Sequence, residues 1–328
     1  MPIVSVLATG GTIASRSNRG GGATAQDAGA ELVAGLDLPV GIDVRVRDVV
    51  RVGGFRMTLD HVHQVARAVA AQLEDDAVAG VVITHGTDTI EETAYFLDLF
   101  HHDQRPVVVT GAQRVADAPD SDGPRNLTDA VTAAAAPATR GLGVLIGFGG
   151  QLFPARGARK THTLAADTFT NPAGGPLGWV RGGDVAVVTE PRRAPALPLD
   201  AFDPSGLRVD IVACYPDADG IALRACVGAG ARGIVLAATG AGNANPAICA
   251  AVAEISAAGV VVVTSTRVAC GPVAAIYGDG GGVDLLRAGA VPSGLLRPSQ
   301  ARILLAALLG MHRDPSAVRH AFGEHTRP

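Results

Sequence analysis

The apolar positions of this chain fall in short, nearly unbroken runs, each closed by glycine and a hydroxyl or amide residue. Ile3-Val4-Ser5-Val6-Leu7-Ala8 is rich in β-branched residues and ends in Thr9-Gly10-Gly11-Thr12. A run of that length bounded by turn residues predicts a buried strand breaking into a tight turn. The plan recurs in Gly80-Val81-Val82-Ile83-Thr84 before His85-Gly86-Thr87-Asp88-Thr89, and in Pro106-Val107-Val108-Val109-Thr110 before Gly111-Ala112-Gln113. It recurs again in Leu142-Gly143-Val144-Leu145-Ile146, and 43–50 alternates as a strand should. Between the strands the period changes. Thr58 is placed to cap a helix over 58–73, with Leu59, Val62, Val65, Ala66 and Val69 on one stripe. A second helix is predicted over 90–100, with Glu91 and Glu92 in its first turn, and the turn-rich 120–127 opens a third that is rich in alanine. Near-continuous apolar strands alternating with helices predict an α/β fold, a doubly wound and mostly parallel sheet covered on both faces.

From Glu190 the composition changes to Pro191-Arg192-Arg193-Ala194-Pro195, which reads as a linker. A second, smaller α/β unit follows, with strands at Val209-Asp210-Ile211-Val212, Gly233-Ile234-Val235-Leu236 and Val260-Val261-Val262-Val263. Its final helix is expected from about Pro298 to Leu309. The division expected is a catalytic α/β domain over 1–190, a linker over 191–206 and a smaller α/β domain over 207–328. A length of 328 residues suits about two domains. The stretch 16–24 is polar, glycine-rich and without period, and reads as a mobile flap beside the first turn.

Composition narrows the function. Nearly half the residues are apolar, so a large core can form. A net charge of −4, no basic stripe and 4% aromatic residues argue against a nucleic-acid partner. No apolar stretch reaches the length of a membrane span, and the N-terminal run dissolves into Gly-Gly-Thr, as a strand does and a signal peptide does not. Cys214, Cys226, Cys249 and Cys270 form neither a Cys-x-x-Cys pair nor a zinc pattern, which predicts buried free thiols in a reducing cytoplasm. His61 and His63, two apart on a helix, cannot share a face and are not a metal pair. His101-His102-Asp103 reads as a solvated loop.

Three positions carry candidate chemistry. Thr12 lies just past a strand's carboxyl end, where open α/β sheets place ligands, and its hydroxyl is a nucleophile if something takes its proton. The plainer alternative is a strand end with a turn. Asp88 can hold a substrate ammonium group or cap the following helix. Lys160 is the only lysine among 27 basic residues; a lysine changes protonation state when desolvated, which arginine does not do. The alternative is a solvated lysine present by chance.

The pair Thr9-Gly10-Gly11-Thr12-Ile13-Ala14 and Thr84-His85-Gly86-Thr87-Asp88-Thr89-Ile90-Glu91-Glu92 resembles the bacterial L-asparaginase/glutaminase family. The resemblance continues through Thr110-Gly111-Ala112-Gln113-Arg114, Asp122-Gly123-Pro124-Arg125-Asn126-Leu127, Lys160-Thr161 and Gly240-Ala241-Gly242-Asn243-Ala244-Asn245, in order along essentially the whole chain. It implies an amidohydrolase, foremost of L-asparagine, with Thr12 as nucleophile and Thr87, Asp88 and Lys160 as a second catalytic set. It implies a small-molecule amide substrate, no cofactor and no metal, and a homotetramer built as a dimer of dimers with sites at subunit contacts. Substrate contacts implied are Gly11, Gly54, Phe55, Asp88, the Ala112 N–H as an oxyanion donor, and Asn245 reaching toward a neighbouring subunit. Three departures stand out. The family's flap tyrosine falls on Gly22-Ala23-Thr24, and its Ser-Gln carboxylate grip falls on Gly54-Phe55. Its acidic residue from the C-terminal domain is absent around Ala275-Ile276-Tyr277-Gly278-Asp279. Gly54 would open space and Phe55 add an apolar wall, while Arg16, Arg19 or Arg56 could replace the grip. The alternatives are a glutaminase or amidase for a different small amide, and an amino-acid-binding relative with weak turnover.

Overall fold

The computed structural model describes residues 1–18, 20–38 and 40–327. They divide into two units, the first ending at Leu199 and the second starting at Asp200.

The first unit opens with β1 (Ile3–Gly10), the hairpin β2 (Ser15–Ser17) and β3 (Ala23–Ala25), α1 (Gly29–Val33) and β4 (Asp43–Val52). Then come α2 (Leu59–Gln72), β5 (Val78–Thr84), α3 (Ile90–Phe100), β6 (Val107–Thr110), α4 (Gly123–Ala135) and β7 (Val144–Phe148). It closes with β8 (Gln151–Pro154), β9 (Arg159–Lys160), β10 (Phe169–Thr170), β11 (Gly178–Arg181) and β12 (Asp184–Val187). The main sheet has the order β12-β11-β8-β7-β6-β5-β1-β4. β4, β1, β5, β6 and β7 run parallel, and β8, β11 and β12 extend that sheet in antiparallel fashion. β1 is central: Ser5 pairs with Arg45 on one side and Val81 on the other.

Alternation along β1 sends Val4 and Val6 to one face, where they join Val82, Val108, Leu127, Ala130 and Val131 in a buried core under α4, with Leu32 and Val33 of α1 against it. Ser5 points the other way and donates to Gln72 Oε1 in α2 at 2.8 Å. Helices therefore cover both faces. α2 starts where the sequence places it: Thr58 Oγ1 accepts from His61 N, and His61 Nδ1 accepts from Thr58 N, a capping box with histidine in place of the usual acid.

Within the stretch read as a flap, β2 and β3 pair, with Ser15 opposite Ala25 and Ser17 opposite Ala23; three-residue, mostly exposed strands are too short to show a period. Other expectations are corrected. His101 is buried, with Nε2 on Arg105 O at 2.9 Å. The loop folds inward because Arg105 donates to Leu73, Asp75 and Val78 carbonyls, fixing the end of α2. Within the stretch read as linker, Arg193 pairs with Asp98 at 3.0 Å and Leu197 N donates to Leu99 O, so it is fastened to α3.

The second unit comprises β13 (Val209–Ala213), α5 (Ile221–Gly228), β14 (Gly233–Ala238), α6 (Pro246–Ala257), β15 (Val261–Thr266), α7 (Gly282–Arg287), β16 (Val291–Pro292), α8 (Pro298–Met311) and α9 (Pro315–Thr326). Its four strands are parallel in the order β13-β14-β15-β16. α8 is not the last helix. α9 buries only Val318, Phe322 and Thr326, too sparse a stripe to read from sequence. Cys214 and Cys249 are buried, but Cys226 is half-buried and Cys270 exposed, which corrects the expectation of four buried thiols. Among the described residues no helix is long and apolar enough to cross a membrane.

Candidate active site

β1 and β5 end in glycine turns that touch. Gly10 and Gly11 have φ of 95° and 82°, backbone that side chains rarely adopt. A Cβ on Gly11 would lie 2.4 Å from Gly86 N, and one on Gly86 would lie 2.4 Å from Gly54 N. Three backbones thus stack without side chains between them, and Thr12 and Thr87, each one residue past its glycine, sit on adjoining turns. Thr12 begins a 3₁₀ turn (Thr12–Ala14) that Ser15 Oγ ties to Gly11 O at 2.8 Å. The Thr12 side chain is half-buried, and its hydroxyl makes no hydrogen bond to another described residue.

Lys160, on β9, reaches back across the sequence to the β5–α3 turn. Its Nζ donates to Thr87 Oγ1 at 2.8 Å and to Asp88 Oδ1 at 3.0 Å. The lysine side chain is 18% exposed and the Asp88 side chain 53%. Asp88 does not cap α3: Thr89 is the N-cap residue, with no side-chain cap bond, and Thr89 Oγ1 donates instead to Gly54 O at 2.8 Å. The main chain of Lys160 is held as well, its N–H donating to Glu91 Oε2 at 2.9 Å. A cavity of about 420 Å³ opens beside these groups, lined by Asp88, Glu91, Lys160 and His162 among others.

Three residues that sequence reasoning left out support this arrangement. Glu91 is one, read only as a first-turn acid. Gln113 is the second: its Oε1 accepts from Thr87 Oγ1 at 2.9 Å. His85 is the third, fully buried between Gly86 O on Nδ1 (2.8 Å) and Thr93 Oγ1 on Nε2 (3.0 Å). Burial pushes the His85 imidazole down to about 4, against the pull of the Gly86 carbonyl. The neutral ring donates from Nδ1, since a carbonyl only accepts, and takes the Thr93 hydroxyl on Nε2. His85 and Gln113 gave no signal beyond their place in the turn motifs.

The remaining candidates fall as follows. Gly11 N donates to Val52 O, so the contribution of Gly11 is the close approach it permits. Ala112 is fully buried after β6, and its N–H donates to no described residue. Gly54 opens no space: a Cβ there would lie 2.8 Å from Gly86 O. Phe55 is 77% exposed and lies against Gly53. Asn245 caps α6 in the second unit, accepting from Ile248 N and donating to Ala218 O, so both ends of its amide are occupied. Of the candidate arginines, Arg16 pairs with Asp27 at 2.6 Å, Arg19 lies outside the described residues, and Arg56 is exposed without a partner among the described residues.

Residues 3–193 match the family model described as asparaginase, N-terminal, and residues 208–322 match the glutaminase/asparaginase C-terminal domain. The chain is 38% identical over 330 residues to a probable L-asparaginase of Deinococcus radiodurans, covering 98% of this chain and 97% of that one. It is 34% identical over 313 residues to an L-asparaginase of Bacillus licheniformis, covering 95% and 96%. A solved structure, the probable cytoplasmic L-asparaginase of Campylobacter jejuni, superposes with a TM-score of 0.87 at 32% identity over 98% of this chain and 99% of that one.

Proposed function

The chain belongs to the asparaginase/glutaminase family, and on that premise we propose that it hydrolyses the side-chain amide of L-asparagine to L-aspartate and ammonia. The observation that carries this reading is the contact of the lone lysine with Thr87 and Asp88, beside a second threonine whose hydroxyl is unengaged among the described residues. In this reading Thr12 Oγ bonds to the amide carbon, the C–N bond breaks, and the hydroxyl proton leaves with the nitrogen as ammonia. Water then splits the ester, restores the proton to Thr12 and releases the acid. In this reading the N–H of Ala112, with one from the neighbourhood of Thr12, receives the oxyanion. Asp88 binds the substrate ammonium, and Lys160 and Thr87 orient the attacking water. Arg56, with no ion pair among the described residues, takes the α-carboxylate that Gly54 and Phe55 cannot grip.

The expected assembly is a homotetramer, a dimer of dimers, and exposed Val268, Ile276 and Tyr277 on one loop of the second unit offer apolar surface for it. A coupled ammonia assay over asparagine, glutamine and their D-forms tests the activity. Thr12→Ala should lower kcat at least about a thousandfold and Lys160→Ala about a hundredfold. Arg56→Ala should raise KM about tenfold with kcat held, the cost of one charge-assisted contact. Full activity in Thr12→Ala would sink the reading.

A further inference from the structure

Thr87 sits in a hydrogen-bond chain whose direction is set from outside the Thr-Asp-Lys group. Its hydroxyl is buried and has one proton to donate and two lone pairs. Lys160 Nζ donates to Thr87 Oγ1 at 2.8 Å and occupies one lone pair. The proton goes to Gln113 Oε1 at 2.9 Å. Gln113 cannot be turned over, because its Nε2 donates to Thr163 O at 3.1 Å, and a carbonyl accepts only. One amide therefore spans from the Thr87 hydroxyl to the loop that follows Lys160.

The backbone beneath that amide is itself fixed. Both oxygens of Asp122 accept from Gln113 N, at 3.1 and 3.0 Å, and Oδ1 also accepts from Arg114 N at 2.9 Å. Asn126 Nδ2 donates to Asp122 at 3.1 Å and to Gly111 O at 3.0 Å, anchoring the turn to α4. A side chain on so braced a turn holds its partner in one rotamer at little entropic cost.

We propose that Gln113 is a positioning residue that fixes the polarity of the Thr87 hydroxyl. With the proton committed to Gln113 and one lone pair to Lys160, the second lone pair is the only position left for a reacting water. Thr87 is thereby held as an acceptor and withheld from attack, and Thr12, with no such tie among the described residues, is the hydroxyl free to act as nucleophile. The inference rests on the amidohydrolase reading of this site and adds a residue to it.

Gln113→Leu removes the acceptor at similar volume, whereas Gln113→Glu keeps an oxygen facing Thr87, while its second oxygen cannot donate to Thr163 O and brings a negative charge. In ammonia release from asparagine, the expected result is a kcat at least about tenfold lower for Gln113→Leu, KM within about twofold, and recovery of most of that loss in Gln113→Glu. A kcat within about twofold of wild type in Gln113→Leu, or equal losses in the two variants, overturns the proposal, since packing alone would not distinguish them. Crystal structures of wild type and Gln113→Leu decide the matter apart from turnover. The proposal requires Thr87 Oγ1 within hydrogen-bond distance of both Gln113 and Lys160 in the first and a changed or mixed Thr87 rotamer in the second. A wild type that releases no ammonia defeats the amidohydrolase reading, while an unmoved Thr87 in Gln113→Leu defeats this one.

Discussion

Position 54 shows how one atom separates likeness from identity. The resemblance calls for a serine there, but Gly54 lies so close to Gly86 that even a Cβ would stand 2.8 Å from its carbonyl oxygen. Restoring the serine should therefore damage the site. The atoms in the way are backbone, which yields only by moving the turn that carries Thr87. Gly54→Ser is expected to cost about 1–3 kcal/mol by overpacking and to lower kcat, read by thermal melts and the ammonia assay. An unchanged melting temperature with a lower KM would mean that the turn gives way freely and that the serine resumes a grip. The same scale separates what could be read from sequence from what could not. Lys160 was conspicuous because it is the only lysine in an arginine-rich chain. Gln113 was invisible as a partner of Thr87, because nothing in an amide's sequence position tells which hydroxyl it will meet 26 residues away.

Elements were legible where two independent signals coincided. α2 had a cap and an apolar stripe, and its ends agree with the reading; α3 had a glycine turn before it and Glu91 and Glu92 in its first turn. Where only one weak signal existed, reading failed. β8, β11 and β12 are four-residue strands whose partners are set by the antiparallel return of the chain and not by their own pattern. The hairpin of β2 and β3 is exposed along most of its length, so no alternation marks it. The cap of α2 also allows a prediction at this scale. Thr58→Ala leaves the His61 N–H without its acceptor and should cost about 1 kcal/mol, seen as an earlier melt of the first unit. Since Thr58 belongs to no catalytic contact, kcat should stay at the wild-type value; a fall in kcat with no change in melting would show that the helix start acts on the site.

At the scale of the whole chain, buried histidines tie the stability of the first unit to pH. Burial lowers His85 to about 4, and burial together with the Arg193 charge lowers His101 to about 4, both from 6.5. Between these limits the unfolded chain binds protons that the folded one refuses, so unfolding free energy rises with pH and is lost as pH falls from 6.5 toward 4. Each ring contributes roughly 3 kcal/mol of that loss by pH 4. Asp98, which burial pushes up against the pull of Arg193, acts in the opposite sense. Asp103 is held near 2 by Arg105 and adds its own loss only below about 4. In the window from 6.5 to 4 the two histidines act together, and Asp98 opposes them. A double variant, His85→Gln with His101→Gln, keeps a donor and an acceptor at each site but cannot take up a proton. Its melting temperature at pH 7 should lie below that of the wild type, because glutamine fits neither ring cavity, yet it should fall less on going to pH 4.5. A double variant that loses as much as the wild type over that interval would place the acid sensitivity elsewhere, among the carboxylates, and would mean that these rings are protonated without leaving their hydrogen bonds.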